Sequence, residues 1–267
     1  MRRIGLIAGH GRYPILFAQA ARRKGVEVVC VAIEGETSRE IEGLVDKVSW
    51  VHLWEFKRLI EVFQKERIRQ AVMAGSVTKT EIYRKDVKLD QEAEKLITNT
   101  KDRKDKTLLK AAALRLRLAG VKLIDSRIFL EDLLPQKGVF TKRQPTESEL
   151  QDVKFGRTIA KKLADLEIGQ TIVVKNKTVV AVEAIEGTND TISRAGKLGK
   201  GDIVVVKVSR PKQDVRFDIP TVGPDTINAL ADAGGGVLAI EAKKMFMIDK
   251  EETIRLADQK NIAVIAV

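Results

Sequence analysis

The sequence predicts an α/β protein of two domains, an N-terminal Rossmann-like parallel-sheet domain over residues 1–134 and a second α/β domain with a mixed sheet over 135–267. Three observations carry this expectation. In the first third, short apolar runs alternate with amphipathic helical stretches, the pattern of a parallel sheet with crossover helices. Near the midpoint the turn-forming, polar string Pro135-Gln136-Lys137-Gly138 interrupts the pattern and reads as the linker. Beyond it, two strand-like runs stand three residues apart across Lys175-Asn176-Lys177, which reads as a hairpin and makes the second sheet mixed.

Taken in order, residues 3–8 form an apolar strand. Residues 14–24 form a helix with Pro14 near its first turn, where the fixed φ of proline costs nothing. A strand over 27–32, an amphipathic helix over 55–67 and a buried strand over 70–74 follow. The stretch 89–120 is rich in Ala, Leu, Lys and Arg and reads as helical up to Gly120, a glycine cap, before an apolar strand at 121–124. After the linker come a helix over 147–166 and the hairpin strands 171–174 and 178–184. Strands at 203–208, 237–240, 245–248 and 263–267 then alternate with helices at 224–233 and 250–260.

Composition narrows the function. A single cysteine, Cys30 in Val28-Val29-Cys30-Val31, excludes an intrachain disulfide framework and most zinc motifs, and reads as an inert core thiol. Two histidines, His10 and His52, exclude a multi-histidine metal centre, and both read as structural. The two N-terminal arginines precede an apolar run too short for a signal-peptide core or a membrane span, so a cytoplasmic, reducing location is expected. Forty-eight Lys and Arg against 37 Asp and Glu give a net charge of +11, which favours anionic partners: phosphorylated metabolites, an acidic membrane face or nucleic acid. With 4% aromatic residues there are few stacking platforms, and no nucleic-acid recognition module is visible, so nucleic acid is not the expected partner.

Four segments could carry chemistry. Gly9-His10-Gly11-Arg12-Tyr13-Pro14 leaves the first strand and opens the first helix, where backbone amides can hold a phosphate. It departs from the dinucleotide fingerprint at Pro14, although Glu34 ends the next strand where a ribose-binding acid would sit. Gly75 follows a later parallel strand and should share that carboxyl edge; for both loops the alternative is a glycine turn without a ligand. The string Glu183-Ala184-Ile185-Glu186-Gly187-Thr188-Asn189-Asp190 concentrates three carboxylates and a hydroxyl between a strand and a helix. It can ligate Mg2+ or a polar substrate; alternatively, Thr188 or Asn189 only caps the helix. In 212–224, basic residues flank an acid on a loop stiffened by Pro and Gly. Asp218 could hold a metal against a pyrophosphate while Lys212 or Arg216 neutralises phosphate oxygens, or it could simply bond local amides in a turn. The charged string 101–106 reads as a solvated helix face or loop, or as a further phosphate contact.

Four strings point together to one family: Gly5-Leu6-Ile7-Ala8-Gly9 with Gly11 and Pro14; Gly169-Gln170; Glu183-Ala184-Ile185-Glu186-Gly187-Thr188; and Arg216-Phe217-Asp218-Ile219-Pro220-Thr221-Val222-Gly223. In order and across essentially the whole chain they resemble the UDP-2,3-diacylglucosamine pyrophosphatases of the LpxI type. The resemblance implies a Mg2+-dependent hydrolase of lipid A biosynthesis. Such an enzyme cleaves the pyrophosphate of a lipid nucleotide, held in a cleft between two domains, to UMP and 2,3-diacylglucosamine 1-phosphate (lipid X). It places the family's catalytic acid on Asp218, here also a Mg2+ ligand. The family pattern Glu-Gly-Thr-Asp matches Glu186, Gly187 and Thr188, but Asn189 stands at the Asp position and Asp190 follows, so the further metal ligands are expected among Glu186 and Asp190. Gly9, Gly11, Gly75, Thr188, Asn189, Lys212 and Arg216 are the expected substrate contacts, and water is the expected nucleophile. An acylated substrate implies transient contact with the inner membrane surface, hence a peripheral place on it; a homodimer stays open. Two other readings remain: a nicotinamide (NAD) oxidoreductase using the Gly9 loop and Glu34, and a non-catalytic nucleotide or RNA binder using the positive charge.

Overall fold

Five parallel strands, β1 (Arg3–Ala8), β2 (Glu27–Ile33), β3 (Lys47–Val51), β4 (Gln70–Ala74) and β5 (Lys122–Leu123), form the N-terminal sheet in the order β3-β2-β1-β4-β5. The computed structural model describes residues 3–77, 89–98, 100, 105–211, 213–217 and 219–267. It divides the chain into two units, Met1–Glu131 with Asp214–Asp218, and Asp132–Gln213 with Ile219–Val267. Strands β1 and β2 are buried almost throughout because helices cover both faces of such a sheet, which is why they read as unbroken Val/Ile/Ala runs. The crossover helices include α1 (Tyr13–Arg23) and α2 (Phe56–Lys65). Ile7, Val29, Val31, Val51, Phe63, Leu116 and Leu123 belong to one core cluster that also takes in Phe217 from far along the chain. Cys30 is fully buried on β2, and burial pushes its thiol pKa up, as an inert core cysteine requires.

Two expectations need correction here. Strand β3 was not expected; its mixed sequence Lys-Val-Ser-Trp-Val suits an edge position, with Lys47 exposed and the next three residues half-buried. The helical stretch 89–120 is two helices, α3 (Gln91–Thr98) and α4 (Asp105–Leu118). Asp90 starts the first: its Oδ1 accepts from Ala93 N at 2.8 Å and its Oδ2 from Lys57 N at 2.6 Å. Poor helix formers, Thr98-Asn99-Thr100, follow. Residues 99 and 101–104, with most of the charged string, lie outside the described residues.

The second unit holds a six-stranded mixed sheet in the order β6-β13-β11-β9-β7-β8, from β6 (Gly138–Val139), β7 (Thr171–Lys175), β8 (Thr178–Val182), β9 (Val204–Lys207), β11 (Val237–Ile240) and β13 (Ala263–Ala266). Strands β9, β11 and β13 run parallel, while β6 and β7 oppose their neighbours. The pair β10 (Thr221–Val222) and β12 (Phe246–Met247) forms a small separate parallel sheet. Helices α5 (Glu147–Asp165), α6 (Thr188–Gly199), α7 (Pro224–Asp232) and α8 (Lys250–Gln259) complete the unit. The expected hairpin is β7–β8. Asn176 and Lys177 take φ of 51° and 56° at its tip, and their amides donate to the buried carboxylate of Asp152 on α5 at 2.8 and 2.6 Å. Part of the stretch read as linker is strand β6 on the edge of this sheet.

Strand directions decide where function can sit. Strands β9, β11 and β13 all end on one edge of the second sheet; β8 ends there too, and β7 starts there. Thr171, Glu183, Lys207 and Glu241 therefore share the carboxyl edge, where open α/β sheets bind ligands.

Candidate active site

In the N-terminal unit, the loops after β1 and β4 meet at the point where strand order reverses. Gly9 N donates to Ala74 O at 2.9 Å, His10 N to Ser76 O at 2.6 Å and Ser76 N to His10 O at 3.1 Å. A Cβ on Gly9 would collide with the Ser76 carbonyl oxygen. One on Gly75, whose φ is +90°, would stand 2.6 Å from His10 O. The structure thus brings Gly9 and Gly75 together, as expected of a shared edge, and glycine is required there by backbone-to-backbone contact. Gly11 has φ +94° and open space around its Cβ position.

This geometry weighs against the dinucleotide reading. Pro14 brings no N–H to the first turn of α1, and Arg12 at the N-cap makes no side-chain capping bond. Glu34, the candidate ribose acid, pairs with Arg39 at 3.0 Å. Both histidines are exposed: His10 lies in the Ser76 bridge, and His52 stacks on Trp54 with ring centroids 4.7 Å apart.

The carboxyl edge of the second sheet holds a denser polar network. Thr188 is the first residue of α6, and the N-cap is Gly187 (φ +89°) with no side-chain capping bond, which corrects the capping alternative for Thr188 and Asn189. The Thr188 hydroxyl instead donates to Glu183 Oε1 at 2.9 Å and accepts from Lys207 Nζ at 2.9 Å, with Thr171 Oγ1 at 3.3 Å. Lys207 Nζ also donates to the Thr221 carbonyl at 2.8 Å. Glu183 Oε2 accepts from Gln170 N at 3.0 Å. A Cβ on Gly169 would collide with the Glu183 carbonyl, which accounts for Gly169-Gln170 as a string. Sequence reasoning counted Glu183 only among the acids of its string and gave no role to Lys207; the signal for their bonds lies in contacts 14 to 19 residues away for Lys207 and 13 for the Glu183–Gln170 bond.

The expected metal residues are placed unequally. Glu186 folds back on its own segment: Oε1 accepts from Thr191 Oγ1 at 3.2 Å and Arg194 Nη2 at 2.6 Å, and Oε2 from Ala184 N at 3.1 Å. Its own backbone amide and Arg194 hold its carboxyl below the ordinary range. Asp190 is exposed in the first turn of α6, where the positive helix end favours an acid, and Asn189 is exposed beside it. Among the described residues no group of three or more His, Cys, Asp or Glu side chains could hold a metal ion. With Glu186 engaged, the described donors by themselves do not fit Mg2+. Asp218 and Lys212 lie outside the described residues.

In the stretch that precedes Asp218, Ser209 and residues 214–217 are each held by specific contacts. Glu241, 3% exposed at the end of β11, accepts through Oε2 from Ser209 N at 3.0 Å, Ser209 Oγ at 2.6 Å and Lys161 Nζ at 2.6 Å, and through Oε1 from Lys244 Nζ at 3.1 Å. Burial alone would raise this carboxyl pKa, but those bonds outweigh it and bring it down to about 2. Further on, Ser126 Oγ donates to Val215 O at 3.0 Å, and Phe217 enters the N-terminal core. Arg216 is forked onto Asp214, Nε to Oδ1 at 2.9 Å and Nη2 to Oδ2 at 2.7 Å, which lowers the Asp214 pKa. Any phosphate contact by Arg216 competes with that pair.

Two family models match the chain, one described as the LpxI N-terminal domain over residues 3–133 and one described as the LpxI C-terminal domain over 136–265. A relative from Caulobacter vibrioides, UDP-2,3-diacylglucosamine pyrophosphatase LpxI, is 25% identical over 277 residues, covering 100% of this chain and 98% of its own. Solved structures with some likeness include the biotin carboxylase subunit of pyruvate carboxylase (12% identity, TM-score 0.28, 75% of this chain and 42% of that one). A second is the biotin carboxylase domain of Hydrogenobacter thermophilus 2-oxoglutarate carboxylase (14% identity, TM-score 0.29, 76% and 43%). The chain spans less than half the length of these solved structures, and likenesses this weak carry no argument about the site.

Proposed function

The chain belongs to the LpxI family, and from that premise we propose that it hydrolyses UDP-2,3-diacylglucosamine to UMP and 2,3-diacylglucosamine 1-phosphate, as a pyrophosphatase of lipid A biosynthesis. Water adds at one phosphorus of the pyrophosphate, and the bridging P–O bond breaks with its electron pair leaving on the departing phosphate. Attack at either phosphorus gives the same two products. The observation that carries the reading is the network at the carboxyl edge of the second sheet, where Lys207 bonds both Thr188 and Thr221. Those residues belong to the two strings that most specifically resemble the family, and the second string includes Asp218.

The positive end of α6 on this sheet edge suits a substrate with two charged phosphates, and the bond from Lys207 to the Thr188 hydroxyl holds that helix end in place. In this reading Asp218 orients the attacking water, and Thr188 and Asn189 face the substrate from the helix end. Gly11, with open space at its Cβ position, supplies close backbone approach in the N-terminal unit, on a loop that Gly9 and Gly75 let pack against its neighbour, and Lys212 and Arg216 offset phosphate charge. We include a Mg2+ requirement on the strength of the oxygen-donor chemistry of Asp218 and Asp190, and no step above depends on it. No helix among the described residues is long and apolar enough to cross a membrane. The +11 charge suits transient contact with the anionic inner membrane surface, where an acylated substrate resides, and we take the place of action to be cytoplasmic.

The test is incubation of the purified protein with UDP-2,3-diacylglucosamine and Mg2+, with UMP release as readout and NAD binding titrated in parallel. UMP release without tight NAD binding is expected; tight NAD binding without UMP release would replace this reading with the oxidoreductase one.

A further inference from the structure

Lys207 ends β9, a strand flanked by β7 and β11: it is paired with Thr171 of β7, and Val206 just before it is paired with Ile172 of β7 and Ala239 of β11. From that position its Nζ reaches two otherwise separate stretches of chain. It donates to Thr188 Oγ1, the first residue of α6, and to the carbonyl of Thr221, three residues past Asp218. Thr188 is bonded to Glu183, and Glu183 to the backbone of Gln170, so the ammonium closes a chain of contacts through three of the four family strings. Val206 and Val208 are buried on either side of Lys207, and Ile219, Pro220 and Val222 are buried around Thr221, so both ends of this bridge are seated in packed structure.

We propose that Lys207 is a positioning residue for the pyrophosphatase reaction, one that sets Thr221 at a fixed distance from Thr188 at the start of α6. The inference rests on the pyrophosphatase reading. The physical argument is that groups acting together on a pyrophosphate must hold their mutual geometry to a fraction of an ångström, and loops do so only when tied to a rigid element. Strand β9 is that element and Lys207 is the tie. A residue acting this way affects turnover more than substrate affinity, because misplacement is felt chiefly in the transition state.

The experiment compares wild type, Lys207→Met, Lys207→Arg, Thr188→Val and the Lys207→Met/Thr188→Val double variant, measuring kcat, KM and Tm for each. Lys207→Met should lower kcat by on the order of 10-fold or more with KM within about threefold. Lys207→Arg, which keeps two donors, should recover a large part of that loss. The double variant should lose no more than the worse single variant, the non-additivity of two residues in one network. Three results would overturn the proposal: unchanged kcat per folded molecule in Lys207→Met; a rise in KM at constant kcat, the mark of a direct substrate contact; or equal losses in the Met and Arg variants. Inactive wild type would instead refute the pyrophosphatase reading itself, so the two failures are distinguishable.

Discussion

Glu241→Gln isolates the energy stored in the contacts of Glu241, the carboxylate that holds Ser209 in the stretch preceding Asp218. The Glu241 side chain is 4% exposed and meets four donors, three of them at Oε2. Burial opposes ionisation, yet the bonds from Lys161, Ser209 and Lys244 take the carboxyl from an ordinary 4.5 to about 2. At ~1.4 kcal/mol per tenfold, that difference corresponds to about 3 kcal/mol favouring the folded, ionised state at neutral pH. Glutamine keeps the shape and can still accept at the three-donor position, but it removes the charge that Lys161 and Lys244 face. The variant should therefore be less stable by about 3 kcal/mol at pH 7, a Tm lower by roughly 10 °C for a unit of this size. Because the folded pKa is the depressed one, the contribution is fully present above about pH 4.5 and is lost as pH falls towards 2, so by pH 3 the gap between wild type and variant should shrink to about half. Urea unfolding of both proteins at pH 7, 5 and 3 provides the assay. A stability gap that is absent at pH 7, or that does not narrow on acidification, would refute the reasoning.

Gly75→Ala should cost at least twice as much stability as Gly11→Ala by thermal unfolding. Both sites have positive φ, worth about 1 kcal/mol, but at Gly75 the added Cβ also meets the His10 carbonyl at 2.6 Å; equal costs would show that the two loops separate easily. Asp152→Ala leaves the Asn176 and Lys177 amides without their carboxylate and should cost about 2 kcal/mol, read as a lower urea midpoint, with an unchanged midpoint counting against the hairpin clamp. Asp218→Asn should fold normally and lose on the order of 100-fold or more in turnover, whereas wild-type turnover in a folded variant would remove Asp218 from the mechanism. EDTA should abolish hydrolysis and added Mg2+ restore it; full turnover in EDTA would eliminate the metal.

Sequence patterning exposes what depends on neighbours along the chain and hides what depends on neighbours in space. Strand β4 could be read to the residue because a strand buried on both faces must be an apolar run, and the β7–β8 hairpin because three polar residues between two such runs leave little else. Strand β3 was hidden by its edge position, which lets Lys47 and Ser49 alternate with apolar residues, and β6 by being two residues long. The break between α3 and α4 was signalled by Thr98-Asn99-Thr100, but the Ala/Leu/Lys/Arg content around it outweighed those three residues. The site divides along the same line. Thr188 and the glycines were visible as strings, and Gly9 and Gly75 do meet, but Lys207 looks like any charged residue ending a strand until its bonds to Thr188 and Thr221 are seen. Glu241 was passed over for the same reason: the partners at its Oε2 lie 32 and 80 residues away. Glu186 misled in the opposite sense, since an acid in a motif is equally suited to bonding a neighbouring amide and an arginine of the helix that follows it.

The central claim is cleavage between the two phosphorus atoms of UDP-2,3-diacylglucosamine, and a 31P NMR time course of that substrate with the purified protein and Mg2+ tests it directly. The account predicts that the two pyrophosphate doublets decay together while two phosphomonoester signals, UMP and lipid X, grow in equal amounts. Doublets that persist, or that give way to the signals of free UDP because the sugar–oxygen bond has broken instead, would contradict it.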